Sequence, residues 1–299
     1  MQVAAIVVNY NDVETTLAQI ERLEALPSIA KVIVVDNNSS DDSRVRLKAR
    51  ACERVIFIQA KRNGGYGYGN NIGLYYAQEN HFDMALIANP DTYISEDVLK
   101  KMCVILKKNK KLALIAPKMN LPGIENRPGS KENIVHGAPA FPIRPWLFDL
   151  LEAGPITRRV FRKILHYPSS YFEGKHGVYV DALPGSLLLV KVDAVLKSGG
   201  YDENVFLYEE ETILGKRLKD HGYRSMLYLD GSYLHRHSVS ISKSFGKNGK
   251  RQKIRKQSTL YYYEKYLHIT KWQRLLSVLF FKVVDLETMV LDFVEDIKW

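Results

Sequence analysis

The chain has little cysteine and no long apolar run. Cys52 and Cys103 are the only cysteines in 299 residues, too few for a disulfide framework. Both fall in helix-like segments, which predicts reduced thiols in a cytoplasmic protein. No eighteen-residue window is apolar without interruption, so no spanning helix is expected. Met1 to Asn11 lack a basic start and a long apolar core and read as a strand, not as an export signal. Acidic charge is also in deficit: 43 Lys and Arg face 33 Asp and Glu, a formal net charge of +10. That balance suits an anionic partner such as a phosphorylated ligand, an anionic lipid or nucleic acid.

What is present is an alternation of apolar runs and helix-period segments. Val3 to Val8, Lys31 to Val35, Arg54 to Ile58, Met84 to Ala88 and Leu112 to Ala116 are strand-like. Between them Val13 to Leu26, Asp42 to Ala51, Ile72 to Asn80 and Glu96 to Lys108 have helical spacing. This order predicts an α/β fold whose central sheet is mainly parallel and flanked by helices. Ligands of such sheets bind beyond the carboxyl ends of the strands. Tyr10, Asp36, Asn63 and Asp91 all fall there.

Each polar cluster also has a plainer explanation. Asp36-Asn-Asn-Ser-Ser-Asp41 can be a turn and an N-cap, which leaves Asp36 itself, on the last strand position, to be explained. Asn63 to Gly73 is read as a glycine-rich loop that lets a ligand approach backbone at a helix start. Asn89-Pro-Asp91 is ordinary turn chemistry, or a hard carboxylate suited to a divalent ion on a diphosphate. Glu209, Glu210 and Glu211 follow an apolar run, Val205 to Tyr208, read as the end of a buried strand. They also open a helical segment, where acidic residues favour the dipole. Like charges packed there raise one another's pKa, and a carboxylate so placed is a good general base. Two histidines, His235 and His237, follow a strand; local spacing does not choose between them as a metal ligand.

Lys118 to Tyr179 reads as an irregular insertion on the acceptor side, with a short helix near Thr157 to Leu165. Arg158, Arg159, Arg162 and Lys163 there read as a solvated face. Residues 1–240 are expected to form the main domain and 241–299 a basic, aromatic linker with C-terminal amphipathic helices. Tyr261, Tyr262, Tyr263 and Tyr266 resemble an interfacial aromatic belt. Trp272, Leu276, Leu279, Val283, Leu286, Val290, Phe293 and Ile297 keep heptad spacing, which predicts a helix–helix seam. A homodimer through these helices is favoured over peripheral membrane contact. The acidic residues Asp285, Glu287, Asp292, Glu295 and Asp296 speak against deep contact with anionic lipid.

With these clusters in view, Val3 to Ser240 resembles the family 2 glycosyltransferases of the GT-A fold, above all their bacterial rhamnosyltransferase branch of capsule and cell-wall synthesis. The resemblance rests on Val7-Val-Asn-Tyr-Asn11, Val35 to Asp41, Asn63 to Asn71, Asn89-Pro-Asp91, Gly199-Gly-Tyr-Asp-Glu203 and Phe206 to Arg217, in that order. It implies a GT-A, Rossmann-like sheet with a C-terminal helical extension. Asp36 would contact the nucleoside with Tyr10 beside the base. Asn63, Asn70, Asn71 and Asn89 would line the donor pocket. Asp91 would hold Mn or Mg, joined by His235. Glu211 would be the base and Glu210 its partner, an assignment left open between the two.

The implied reaction is an inverting transfer from a nucleotide-diphosphate sugar to a saccharide acceptor, expected to be lipid-linked. dTDP-L-rhamnose is the favoured donor and a UDP-hexose the alternative. A nucleotide-sugar-binding protein without turnover is the rival from another class. No nucleic-acid partner is expected, because the strand-end clusters are acidic and amidic. The expected location is the cytoplasm, at the inner face of the cell membrane.

Overall fold

The apolar runs fold as strands buried on both faces. The computed structural model describes residues 2–120, 140–236 and 248–297. Its first half runs β1 (Val3–Asn9), α1 (Val13–Glu24), β2 (Ile29–Asp36), α2 (Ser43–Ala49), β3 (Val55–Gln59), α3 (Gly65–Glu79), β4 (Met84–Ala88), β5 (Thr92–Ile94), α4 (Glu96–Lys108) and β6 (Leu112–Asn120). The second half runs α5 (Trp146–Ala153), α6 (Pro155–Val160), α7 (Arg162–Leu165), β7 (Gly177–Val180), β8 (Leu187–Lys191), α8 (Val192–Lys197), α9 (Glu210–Asp220), β9 (Arg224–His235), α10 (Asn248–Tyr266) and α11 (Lys271–Ile297).

The described strands form one sheet in the order β3-β2-β1-β4-β8-β6-β9-β5, with β7 on β9. It is parallel from β3 to β4. Then β8 enters antiparallel between β4 and β6, and the sheet continues as a mixed one. Successive side chains of a strand point to opposite faces. Val3, Ala5 and Val7 of β1 therefore pack with Ile20, Leu23, Leu99 and Leu106 on one side. Ala4 and Ile6 pack with Leu74, Leu214 and Leu218 on the other. No helix of the described residues is long and apolar enough to cross a membrane.

Two expectations change here. The glycine-rich stretch is not a loop: Gly65 to Gly73 are the first turns of α3. Its glycines serve close packing on the sheet. A Cβ on Gly69 would lie 2.6 Å from Val8 Cγ1, and one on Gly73 2.5 Å from Ile6 Cγ2. The run Val205 to Tyr208 is not a strand either. It ends in two consecutive left-handed residues, Tyr208 at φ 70° and Glu209 at φ 68°, which turn the chain sharply into α9.

A third core cluster joins the C-terminal helices to the body. Tyr262 and Tyr263 of α10 and Phe281 and Val284 of α11 pack with Leu150 of α5, Val205 and Ile213. Tyr262 and Tyr263 are fully buried, so the tyrosine belt is core, not an interfacial rim. The heptad positions Trp272, Leu276, Leu279, Val283 and Leu286 are instead exposed, from 44% to 75%. Heptad spacing thus marks a stripe that stays outside the body, while Phe281 and Val284 beside it turn inward. The seam positions Val290, Phe293 and Ile297, His237, and the basic run before Asn248 lie outside the described side chains.

Candidate active site

Strand ends bring two polar groups together. At the ends of β1 and β2, Asp36 is fully buried. Its Oδ1 accepts from Asn9 Nδ2 at 2.8 Å and Ser39 Oγ at 2.5 Å. Its Oδ2 accepts from Gln59 Nε2 at 2.9 Å and the Ser39 N–H at 3.1 Å. Asp36 thus organises the loop ends through protein donors. Asn63 accepts from the Gly65 N–H at 3.1 Å and from Asn37 Nδ2 at 3.1 Å, placing it as a brace at the start of α3. Asn37, which sequence reasoning passed over inside a turn motif, is buried with its Oδ1 unpartnered.

Asn70 donates to the Tyr66 carbonyl within α3. The Asn71 amide is spent within the protein: its Nδ2 donates to the Tyr201 carbonyl at 3.0 Å and to Glu203 Oε1 at 2.9 Å, and its Oδ1 accepts from the Tyr201 N–H at 2.9 Å. These two asparagines hold α3 and the Gly199-Gly200-Tyr201 turn. Tyr10 lies half-buried beyond β1.

The second group is tied together by the turn entering β8. The Asn89 N–H donates to the Ser186 carbonyl at 2.8 Å. Ser186 Oγ hydrogen-bonds Tyr233 Oη at 2.6 Å. The Gly185 N–H donates to Glu211 Oε1 at 3.1 Å, and Tyr66 Oη donates to the Gly185 carbonyl at 2.5 Å. Beside Asn89, β5 pairs with β9 and sets Thr92 opposite His235. Asp91 Oδ1 then meets His235 Nε2 at 3.1 Å. The Asn-Pro-Asp turn and the carboxylates of α9 therefore flank one short turn, Gly185-Ser186. Ser186 and Tyr233 carry no sequence motif that would have singled them out, and Tyr66 is hidden among the glycines of Asn63 to Asn71.

The three glutamates differ. Glu210 is buried, with Oε2 unpartnered. Burial, then the neighbouring Glu211, pushes its carboxyl well above the ordinary range. Glu211 is only part-buried, and burial raises its pKa as well. Glu209 accepts from Thr259 Oγ1 of α10 at 2.8 Å. Burial, then Asp149, pushes it up to about 7. An acid whose folded pKa lies above its unfolded value binds extra protons when folded, so stability falls as pH rises between the two. Glu209→Gln is expected to match the wild type in melting temperature near pH 5. It should exceed it at pH 8 by as much as about 3 kcal/mol of stability. Parallel melting curves across that window check this; equal curves at pH 8 would show that Glu209 ionises at no cost.

Among the described residues no cluster of three or more His, Cys, Asp or Glu side chains forms a metal cage. Asp91 and His235 still present one carboxylate oxygen and one imidazole nitrogen to the same point. That donor set fits a divalent ion completed by ligand oxygens and water.

A mixed α/β sheet with carboxylates flanking the Gly185-Ser186 turn at its strand ends agrees with the GT-A glycosyltransferase fold. Residues 4–159 match the family described as Glycosyl transferase family 2, and the chain belongs to that family. Among solved structures it is similar to Staphylococcus aureus TarS 1-349 in complex with UDP, at 16% identity and TM-score 0.50, covering 89% of this chain and 73% of that one. It is similar to the mannosyltransferase PcManGT of Pyrobaculum calidifontis in complex with GDP-Man and Mn2+, at 14% and 0.54, covering 96% and 74%. It is also similar to GalNAc-T7 with UDP, GalNAc and Mn2+, at 11% and 0.58, covering 90% and 57%. Among curated protein sequences no significant match was found.

Proposed function

We propose that the protein transfers a sugar, with inversion, from a nucleotide-diphosphate donor to a saccharide hydroxyl in bacterial polysaccharide synthesis. The observation that carries the proposal is Glu211. It is part-exposed, raised in proton affinity, and fixed by the Gly185 N–H beside the Asp91–His235 pair. Glu211 takes the proton of the acceptor hydroxyl. The oxygen bonds to the anomeric carbon while the bond to the diphosphate breaks, and the electron pair leaves with the nucleoside diphosphate. One displacement inverts that centre. Glu210, buried beside it, is itself pushed well above the ordinary carboxylate range by its burial and by Glu211.

Asp91 Oδ1 and His235 Nε2 are the groups that would hold Mg or Mn, which when bound would offset charge developing on the leaving diphosphate. The nucleoside would lie near Tyr10, Asp36 and the unpartnered Asn37 Oδ1, with Asn63, Asn70 and Asn71 on that side of the donor pocket and Asn89 at its Asp91 end. The favoured donor is dTDP-L-rhamnose, supported by the motif resemblance. UDP-sugars are the alternative, since UDP accompanies two of the structural neighbours. The acceptor is lipid-linked and met at the inner face of the cell membrane.

Donor binding and slow donor hydrolysis, measured for dTDP-rhamnose and UDP-sugars with and without Mn or Mg, test this directly. Asp91→Asn is expected to lower the metal-stimulated rate about a hundredfold. It should also weaken donor binding in the presence of Mn. Unchanged metal stimulation in Asp91→Asn would remove Asp91 from the site. Binding without any transfer to a saccharide would favour the non-catalytic alternative.

A further inference from the structure

The helical layer over the third core cluster has an outer side whose composition is unusual. Helices α5 and α6 lie along α11, pinned at two points. Trp146 Nε1 donates to Ser277 Oγ at 2.8 Å, and the Ile156 N–H donates to Glu287 Oε2 at 2.9 Å. The two α11 positions are about 15 Å apart along the axis. Leu150, Phe281 and Val284 mark the inner side of this layer. Outward stand Val160 at 71% and Ile164 at 59% exposure from the α6–α7 side, and Leu276, Leu279 and Leu286 at 51%, 48% and 61% from α11. Single apolar residues scattered on a surface are normal; here five stand exposed on neighbouring helices of one layer.

The charges on this layer are sorted by sign. Every acid described on α5, α6, α7 and α11 is engaged by the protein. Asp149 and Glu152 face Arg144, and Glu152 also meets His166 Nε2 at 3.3 Å. Asp285 pairs with Lys256 of α10, and Glu287 turns inward onto the start of α6. The cations Arg158, Arg159, Arg162, Lys163 and Lys282 are all exposed. The acidic residues that argue against lipid in the bare sequence are thus neutralised where described, and the exposed charge beside the apolar side chains is positive. Apolar side chains flanked by exposed Arg and Lys are what an anionic bilayer surface takes up.

We infer that this face of α5–α7 and α11 docks on an anionic lipid surface. It seats Val160, Ile164, Leu279 and Leu286 among the acyl chains and Arg159 and Arg162 on the headgroups. The inner side of the same layer packs on Val205 and Ile213, next to Glu210 and Glu211. Docking would therefore hold the carboxylates close to a membrane-borne acceptor. This deepens the proposal of a lipid-linked acceptor, and binding is read separately from turnover.

The test is flotation of the full chain with phosphatidylcholine vesicles, with and without phosphatidylglycerol. The wild type should float with the anionic vesicles and stay behind with the neutral ones. Arg159→Glu/Arg162→Glu should weaken binding at least about tenfold, and Leu279→Ser/Leu286→Ser by a similar factor, with melting temperatures and donor hydrolysis in solution unchanged. Failure of the wild type to float, or flotation of both variants like the wild type, overturns the inference. So does a dimer in sedimentation that Leu279→Ser/Leu286→Ser dissolves while vesicles bind nothing, since a second copy would then cover the face. A wild type that stays behind with anionic vesicles yet transfers to a soluble saccharide removes only the docking. Intact flotation without transfer removes only the enzymatic proposal.

Discussion

Glu211→Gln should lower transfer by roughly 10²- to 10⁴-fold, the usual worth of a general base, with donor binding intact. The substitution is nearly isosteric. The amide oxygen can still accept from the Gly185 N–H, which the carboxylate now does at 3.1 Å, so the turn joining the two halves of the site stays in place. What is lost is the ability to take a proton. Glu210→Gln is the informative companion. Glu210 is buried with one oxygen unpartnered, so its neutral replacement should retain far more activity than Glu211→Gln. The pH at which activity rises should stay near that of the wild type, because burial, not Glu210, is what raises Glu211. Single-turnover rates across pH for both variants decide. If Glu211→Gln turned over near the wild-type rate and Glu210→Gln did not, the base assignment would have to be reversed.

Gly65→Ala should cost at least about 3 kcal/mol, visible as a drop of roughly 6 °C or more in melting temperature. Gly65 sits at φ +87°, and a Cβ there would lie 2.0 Å from the Phe206 carbonyl oxygen. The obstacle is backbone, so it cannot swing aside as a side chain would. It also belongs to the segment leading into Glu210 and Glu211, and activity should fall with stability. Gly174→Ala separates the two contributions. Gly174 is likewise left-handed, at φ +67°, but open space surrounds it, so only the conformational cost of about 1–2 kcal/mol applies. Equal losses at both positions would mean that the Phe206 contact yields easily.

The alternation of strands and helices was legible because β1, β2 and β4 are buried on both faces and so read as unbroken apolar runs. Strand-end polar residues were legible by topology: Asp36, Asn89, Asp91 and His235 all lie at strand ends. Four features were hidden for physical reasons. Glycine has poor helix propensity, so Gly65 to Gly73 signals a loop even though α3 needs flat faces against Val8 and Ile6. Tyr208 and Glu209 adopt left-handed backbone that their identities disfavour, so Val205 to Tyr208 looked like a strand. Along α11 both Phe281 with Val284 and Leu279 with Leu286 are apolar, and periodicity does not say which pair faces the core. The clamp through Ser186 and Tyr233 depends on contacts distant in sequence, which no local pattern announces.

The left-handed pair at Tyr208 and Glu209 is gripped from α10. Ser258 Oγ donates to the Leu207 carbonyl at 2.7 Å, Thr259 Oγ1 to Glu209 Oε1 at 2.8 Å, and the Arg255 guanidinium lies 4.8 Å from the Tyr208 ring centroid. Such backbone costs about 1–3 kcal/mol per residue and persists only where its surroundings hold it. The C-terminal helices are therefore not a detachable anchor. In chimeras with other family members, a crossover placed between β9 and α10 would pair the Val205 to Glu211 segment with a foreign splint. Lineages that exchange this tail would have to exchange the stretch from Val205 to Glu211 along with it, so the two segments should be inherited as one unit.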